Sequence, residues 1–300
     1  MRSIHAVALT IALVAAGAQA APMPAAPAAA DFKVGNLQLV SVRDATNRVP
    51  NDGKVFGFDV GPDAVTRLLT SVGAPTDHLD LNVGGLVVRL PGHVVLIDSG
   101  LGPGAGGGIV ASLAAAGIIP AQVTDVLITH SHGDHVGGLV GTDGKPAFPG
   151  ATVRMSATEW VFLQAKPAMS ALVTAIAAQV KTFEPGTELL PGITAVALPG
   201  HTPGHVGYEI VSRGERLLDI GDTAHSSLVS LAHPEWAIGF DTDKALGAAN
   251  RRATLASLAA SHERIFAPHF PFPGVGRIVK SGKGYAWAPD LAAVIPAGAR

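Results

Sequence analysis

Three histidines and one aspartate crowd into six residues, His130-Ser131-His132-Gly133-Asp134-His135, directly after the apolar run Val126-Leu127-Ile128. In an extended stretch, side chains two apart point the same way, so His130 and His132 can grip one cation together. Gly133 lets the chain turn, and Asp134 and His135 then project from the next turn toward a second cation. One histidine at a strand end reads as a solvated or hydrogen-bonded loop residue. Four donors in the pattern H-x-H-x-D-H read as a metal site. The chain has no cysteine, which excludes disulfides, thiolate zinc sites and a cysteine nucleophile, so any metal must sit on His, Asp or Glu.

Other chemistries lack their signatures. Gly102-Pro103-Gly104-Ala105-Gly106-Gly107 matches G-x-G-x-x-G after a strand-like run, but six of the nine residues from Gly100 to Gly108 are glycine and the next acid is Asp125. Composition alone explains the match, and a dinucleotide site is not expected. No G-x-S-x-G occurs, and no Gly-Lys-Ser or Gly-Lys-Thr follows the glycines, which argues against a serine hydrolase and a P-loop.

The elements that must position the ligands are read from hydrophobic periodicity. Strands are expected at Leu37 to Val42, Val55 to Asp59, Leu86 to Leu90 and Val94 to Ile97, and again at Val126 to Thr129, Thr194 to Leu198, Gly207 to Val211 and Arg216 to Ile220. Helices are expected at Ile109 to Ala116, Ala168 to Lys181 and Lys244 to Ala260. Strands followed by helices, twice over, suggest an α/β sandwich. Trp160, Phe162 and Met169 read as core. In 300 residues, 48% hydrophobic and 15% charged, there is material for a large core. The balance of 21 Lys+Arg against 23 Asp+Glu, without a basic cluster, excludes a nucleic-acid partner. Arg2 and His5 precede an apolar stretch ending in Ala18-Gln19-Ala20, so residues 1–20 read as a secretory signal peptide rather than a stable membrane anchor. Residues 21–32 read as an Ala/Pro-rich leader carrying no fold information, and 33–300 as one domain, soluble and periplasmic or secreted.

The H-x-H-x-D-H segment resembles the signature of the metallo-β-lactamase superfamily, which implies a single-domain αββα sandwich. Further segments match its motifs: Gly200-His201-Thr202-Pro203-Gly204-His205, Gly221-Asp222 and Ala267-Pro268-His269. By that resemblance two divalent ions are expected, one on His130, His132 and His201, the other on Asp134, His135 and His269, with Asp222 bridging. Zinc is the expected metal, although such donors also suit Fe, Mn, Co or Ni. Asp98, in Asp98-Ser99-Gly100, matches a further family motif and is expected to orient a ligand. His205 is expected to position His201 from outside the ligand set.

Asp222 stands where β-lactam-degrading members usually carry Cys or Ser, which disfavours antibiotic hydrolysis. Longer stretches, including Phe272-Pro273-Gly274-Val275-Gly276 and Gly282-Lys283-Gly284-Tyr285, are similar to the methyl parathion hydrolase group. That group implies a hydrolase of lactones or aryl esters with phosphotriesters as further substrates; an organophosphate hydrolase proper and a catalytically idle metal-binding protein are the alternatives. The loop Leu101 to Gly108 has no aromatic residue to clamp an aryl phosphotriester and is expected to be flexible, which favours a small-molecule ester or lactone. Asp134 is expected to move a proton. His225, three residues past Asp222, is expected to donate a hydrogen bond to the substrate carbonyl, the alternative being packing against His233 and Trp236. Oligomeric state is left open.

Overall fold

The computed structural model describes residues 21–293 and 295–296, so the expected signal peptide lies outside it. Sixteen strands are described. β1 (Ala21–Pro24), β2 (Ala29–Val34), β3 (Leu37–Pro50), β4 (His78–Leu90), β5 (His93–Ile97), β6 (Asp125–Leu127), β7 (Thr152–Ser156) and β8 (Val180–Phe183) form one sheet with the terminal β16 (Ile295–Pro296). β9 (Glu188–Leu190), β10 (Ile193–Ala197), β11 (Val206–Ser212), β12 (Glu215–Asp219), β13 (Arg264–Phe266), β14 (Val275–Ser281) and β15 (Gly284–Pro289) form the other. The helices are α1 (Pro62–Ser71), α2 (Ile109–Ala115), α3 (Gly133–Val136), α4 (Ala157–Gln164), α5 (Ser170–Ile176), α6 (Val229–Ala232) and α7 (Lys244–Ser261).

Strand alternation builds the layers. Leu86, Val88, Val95 and Ile97 face Ala195, Tyr208, Ile210 and Leu217 of the second sheet, and this is the inter-sheet core. Their neighbours Val87 and Leu96 point the other way, onto Ile109 and Leu113 of α2 and Leu163 of α4. On the far side, Leu255 and Leu258 of α7 cover Leu218, Ile265 and Ile278. Helix, sheet, sheet, helix is the expected αββα order. Parallel pairs β5/β6 and β12/β13 sit centrally in their sheets. Asp98 and His130 follow the carboxyl ends of the first pair, and Asp222 and His269 those of the second, so the motifs converge at one end of the sandwich.

The structure corrects several expectations. Residues 21–32 are not a leader without a fold role: β1 and β2 both pair with β3, whose length provides backbone partners that composition does not reveal. Val55 to Asp59 is a turn, because Gly53 and Gly57 take φ of 77° and 71°, and Val55 and Phe56 instead join a small core with Val65 and Leu69 of α1. The helix expected over Ala168 to Lys181 is only α5 with a 3₁₀ turn at each end, and Val180 already belongs to β8. Trp160 and Met169 pack on the core, and Phe162 lies beneath the Lys166 ammonium, 4.1 Å from its ring centre. Among the described residues, no single helix is long and apolar enough to cross a membrane.

Candidate metal centre

His130 and His132 leave β6 in an extended stretch, and α3 starts immediately behind them, carrying Asp134 and His135. His130 Nε2, His132 Nδ1 and His201 Nε2 lie 2.9–3.1 Å from one another. Asp222 Oδ2 is 3.5 Å from His130 Nε2 and 3.3 Å from His201 Nε2. Asp222 Oδ1 is 3.3 Å from His135 Nε2 and 3.2 Å from His269 Nε2. Asp134 closes the second group at 3.8 Å from His135 Nε2 and 3.7 Å from His269 Nε2. All seven expected residues are thus brought together in two groups with Asp222 between them, its Oδ2 toward His130 and His201, its Oδ1 toward His135, and both oxygens 3.2 Å from His269 Nε2.

The hydrogen-bond network tests whether cations fit. Thr129 Oγ1 donates to Asp98 Oδ2, so it must accept from His130 Nδ1. His201 Nδ1 donates to Asp241 Oδ1, 3.0 Å away. With those protons placed, the remaining nitrogens, His130 Nε2 and His201 Nε2, approach to 3.1 Å, which requires a positive charge shared between them, a proton or a metal ion. Ligands about 2.0–2.1 Å from a tetrahedral zinc stand roughly 3.3 Å from one another. Similarly, His135 Nδ1 donates to Asp98 Oδ2 at 2.7 Å and His269 Nδ1 to the Asn82 carbonyl at 2.7 Å, aiming both Nε2 atoms at Asp222. The donor set fits two divalent ions.

The local electrostatics are those of ligands. Burial holds His130 well below its ordinary pKa, and burial with the adjacent His201 takes His132 to about 2. Burial also opposes charge on His135, His201 and His269, but nearby carboxylates outweigh it: all three are raised, His201 to about 9. Burial would raise Asp222, yet His269, His135 and His130 hold it well below the usual carboxylate range. A field that attracts protons to these rings also favours a divalent cation in their place.

The supporting contacts divide into expected and missed. Asp98, expected to orient a ligand, accepts from His135 Nδ1 with one oxygen and from the Thr129 backbone with the other. His205 packs edge-on against the His201 ring, with centres 5.5 Å apart, and it also donates to the Leu198 carbonyl and accepts from the Asp222 backbone N–H at 3.0 Å, fixing the bridging residue as well. Burial and His201 lower its pKa to about 3, keeping it neutral for that role. Sequence reasoning missed Glu159. Completely buried on α4, it accepts from Ser131 N–H and Oγ–H with one oxygen, and from Thr202 Oγ–H and Gly204 N–H with the other. It therefore ties the H-x-H segment to the His201 turn. Asp241 was also missed; buried Arg251 holds its other oxygen at 3.3 Å. No local pattern marks either acid, since their partners are distant in sequence.

His225 is buried, with Nε2 3.1 Å from Asp222 Oδ2 but outside hydrogen-bond geometry; neither ring nitrogen has a hydrogen-bond partner among the described residues. Its ring stacks on His269 and meets His201 and Phe240, while His233 and Trp236 stack on each other. The alternative packing is therefore not observed. Burial keeps His225 below its ordinary pKa despite the pull of Asp222.

A cavity of about 620 Å³ opens over both groups, lined by His132, Asp134, Asp222, His225 and His269 and by apolar Leu81, Leu101 and Phe240. The glycine-rich loop beside it is clasped rather than loose: Asp44 accepts from the Leu101 and Ile109 backbones, both at 2.8 Å. A Cβ on Gly100, where φ is 75°, would lie 2.4 Å from the Asp44 carboxyl carbon, which explains glycine there.

The sequence profile of the metallo-beta-lactamase superfamily matches residues 85–269. The fold superposes on that of AidC, described as a dizinc quorum-quenching lactonase in complex with a product, with a TM-score of 0.84 and 26% identity over 88% of this chain and 98% of that one. It also superposes on AbOPH, described as a hydrolase in the beta lactamase superfamily, with a TM-score of 0.81 and 30% identity over the same shares. A shorter likeness, 37% identical over 86 residues, is to ribonuclease Z of Methanothermobacter thermautotrophicus; it covers 29% of this chain and spans 25% of that protein.

Proposed function

The chain belongs to the metallo-beta-lactamase superfamily, and from that premise we propose that it is a secreted, dinuclear zinc hydrolase of lactones or aryl esters, with phosphotriesters as secondary substrates. The observation that carries this reading is the carboxylate of Asp222 turned between two groups of imidazole nitrogens, under a cavity that admits a small molecule. Likeness to a lactonase over nearly the whole chain supports the substrate class. When bound, the two ions supply polarisation of the scissile carbonyl and a water whose pKa is lowered toward about 7.

The protein's own groups do the remaining work. Asp134 lines the cavity together with His132; its side chain is 18% exposed, and Asn47 Nδ2 holds its Oδ2 at 3.3 Å. It takes the proton from the attacking water and passes it to the leaving oxygen. His225, on the cavity wall and neutral, donates to the carbonyl oxygen as negative charge develops there, a contribution commonly on the order of 10²–10³ in rate. Leu101, Leu81 and Phe240 exclude water from the apolar part of the substrate. Among the described residues, Phe240 is the one aromatic residue other than histidine in the lining, a poor clamp for an aryl phosphotriester.

Purified protein reconstituted with zinc is expected to hydrolyse dihydrocoumarin and phenyl acetate well, paraoxon weakly and nitrocefin not at all. Full metal loading without turnover of any of these would favour the idle metal-binding alternative. Secretion is tested by N-terminal sequencing of the exported protein, expected to begin at Ala21.

A further inference from the structure

The segment before residue 29 has no sequence feature that asks for a fixed place, yet it is tied down at three points. β1 runs antiparallel to β3 in the register Ala21↔Arg48, Pro22↔Asn47, Met23↔Thr46 and Pro24↔Ala45. The Arg43 guanidinium clamps the Ala26 carbonyl through Nε and Nη2, at 3.1 and 2.7 Å. Ala28 accepts from the Arg43 backbone and donates to Ser112 Oγ of α2.

The register decides what this strap does. Paired residues in a ladder point to the same face. Asn47, opposite Pro22, is in turn opposite Leu81 of β4, so Pro22, Asn47 and Leu81 form one transverse row. All three line the cavity, and the middle member holds Asp134. β1 thus extends the cavity wall by one strand beyond the metal-bearing part of the fold. Pro24, two residues on and therefore on the same face, reaches toward the glycine loop at Gly106, the loop that carries the wall residue Leu101. Two prolines lack the N–H groups that would invite another strand, and their fixed φ makes the edge stiff.

We propose that residues 21–24 are a specificity wall of the active-site cavity, with Pro22 setting how long an apolar acyl chain the site takes. The inference rests on the hydrolase reading above. Pro22 stands in the row beyond Asn47, the residue that holds Asp134, so it acts on the part of the substrate remote from the reacting carbonyl. A long chain uses the Pro22–Leu81 row and an acetyl group does not reach it.

The test compares zinc-loaded wild type with Pro22→Trp and Pro22→Gly on p-nitrophenyl acetate and p-nitrophenyl decanoate, with metal content and Tm measured alongside. In Pro22→Trp, kcat/KM for the decanoate is expected to fall about tenfold or more through KM, the scale of one misfitted apolar group. In Pro22→Gly, a severalfold rise in decanoate KM is expected, with kcat unchanged. Acetate kinetics should stay within about twofold in both. A wild-type decanoate-to-acetate ratio in both variants, at full metal loading, overturns the wall. Calorimetric binding of decanoate against acetate reads the wall independently of turnover. Wild type should favour decanoate and Pro22→Trp should lose that preference; equal preference in both overturns the proposal. If wild type turns over no ester or lactone, the hydrolase reading fails while the calorimetry still decides the wall.

Discussion

The two ligand groups that share Asp222 are built to different tolerances. Around His130, His132 and His201 the donor nitrogens stand 2.9–3.1 Å apart, His130 and His201 are anchored by Thr129 and Asp241, and Glu159 pins the backbone that carries them. Around Asp134, His135 and His269 the Asp222 carboxylate stands at 3.2–3.3 Å, no farther than its 3.3–3.5 Å from the first group, but Asp134 lies 3.7–3.8 Å from both rings and has one side-chain amide to steady it. Both groups reach the cavity, the first through His132 and the second through Asp134. The first is the more tightly preorganised of the two. The first ion should accordingly bind more tightly and the second exchange more readily.

The widest break in that contrast is Asp222→Asn. Losing the shared charge should remove both ions together and take turnover to background, measured by elemental analysis and rate; retention of one tightly held ion would mean that the first group stands without the bridge. Asp241→Asn should weaken only the tighter ion, by about 10–100-fold, because it frees the His201 ring while leaving the other group's anchors in place. Competition with a zinc chelator reads each affinity. Glu159→Gln removes carboxylate acceptors from buried Ser131, Thr202 and Gly204 donors and should lower stability by about 1–3 kcal/mol in thermal or urea melts. Asn47→Ala should act on the second group alone, loosening the second ion by roughly tenfold, the low end for an outer hydrogen-bond partner, with the first unchanged.

His130 to His135 were legible because metal chemistry restricts residue types and because short spacings survive in any fold that ends a strand there, whereas His201, Asp222 and His269 were implied by the family resemblance. β5, β6 and α7 were legible for similar reasons, each having a clear local period. What stayed hidden depends on partners far along the chain. Glu159 and Asp241 look like ordinary helix and loop acids, and only the folded chain brings Ser131, Thr202, His201 and Arg251 to them. β1 is Ala-Pro-Met-Pro, with neither alternation nor β-propensity, and becomes a strand only through the β3 backbone. Asp44 turned a loop expected to be flexible into a clasped one from 57 residues away. The α1 helix was a different failure, since Pro62 at its start and Val65 and Leu69 one turn apart were local signals available in the sequence.

The most direct measurement is a zinc titration of chelator-stripped protein, with bound metal and lactone hydrolysis followed at each step. Two ions per chain should bind in succession, the first with little turnover and the second bringing activity to its plateau. Full activity at one equivalent, or saturation at a single ion, would contradict a dinuclear centre bridged by Asp222.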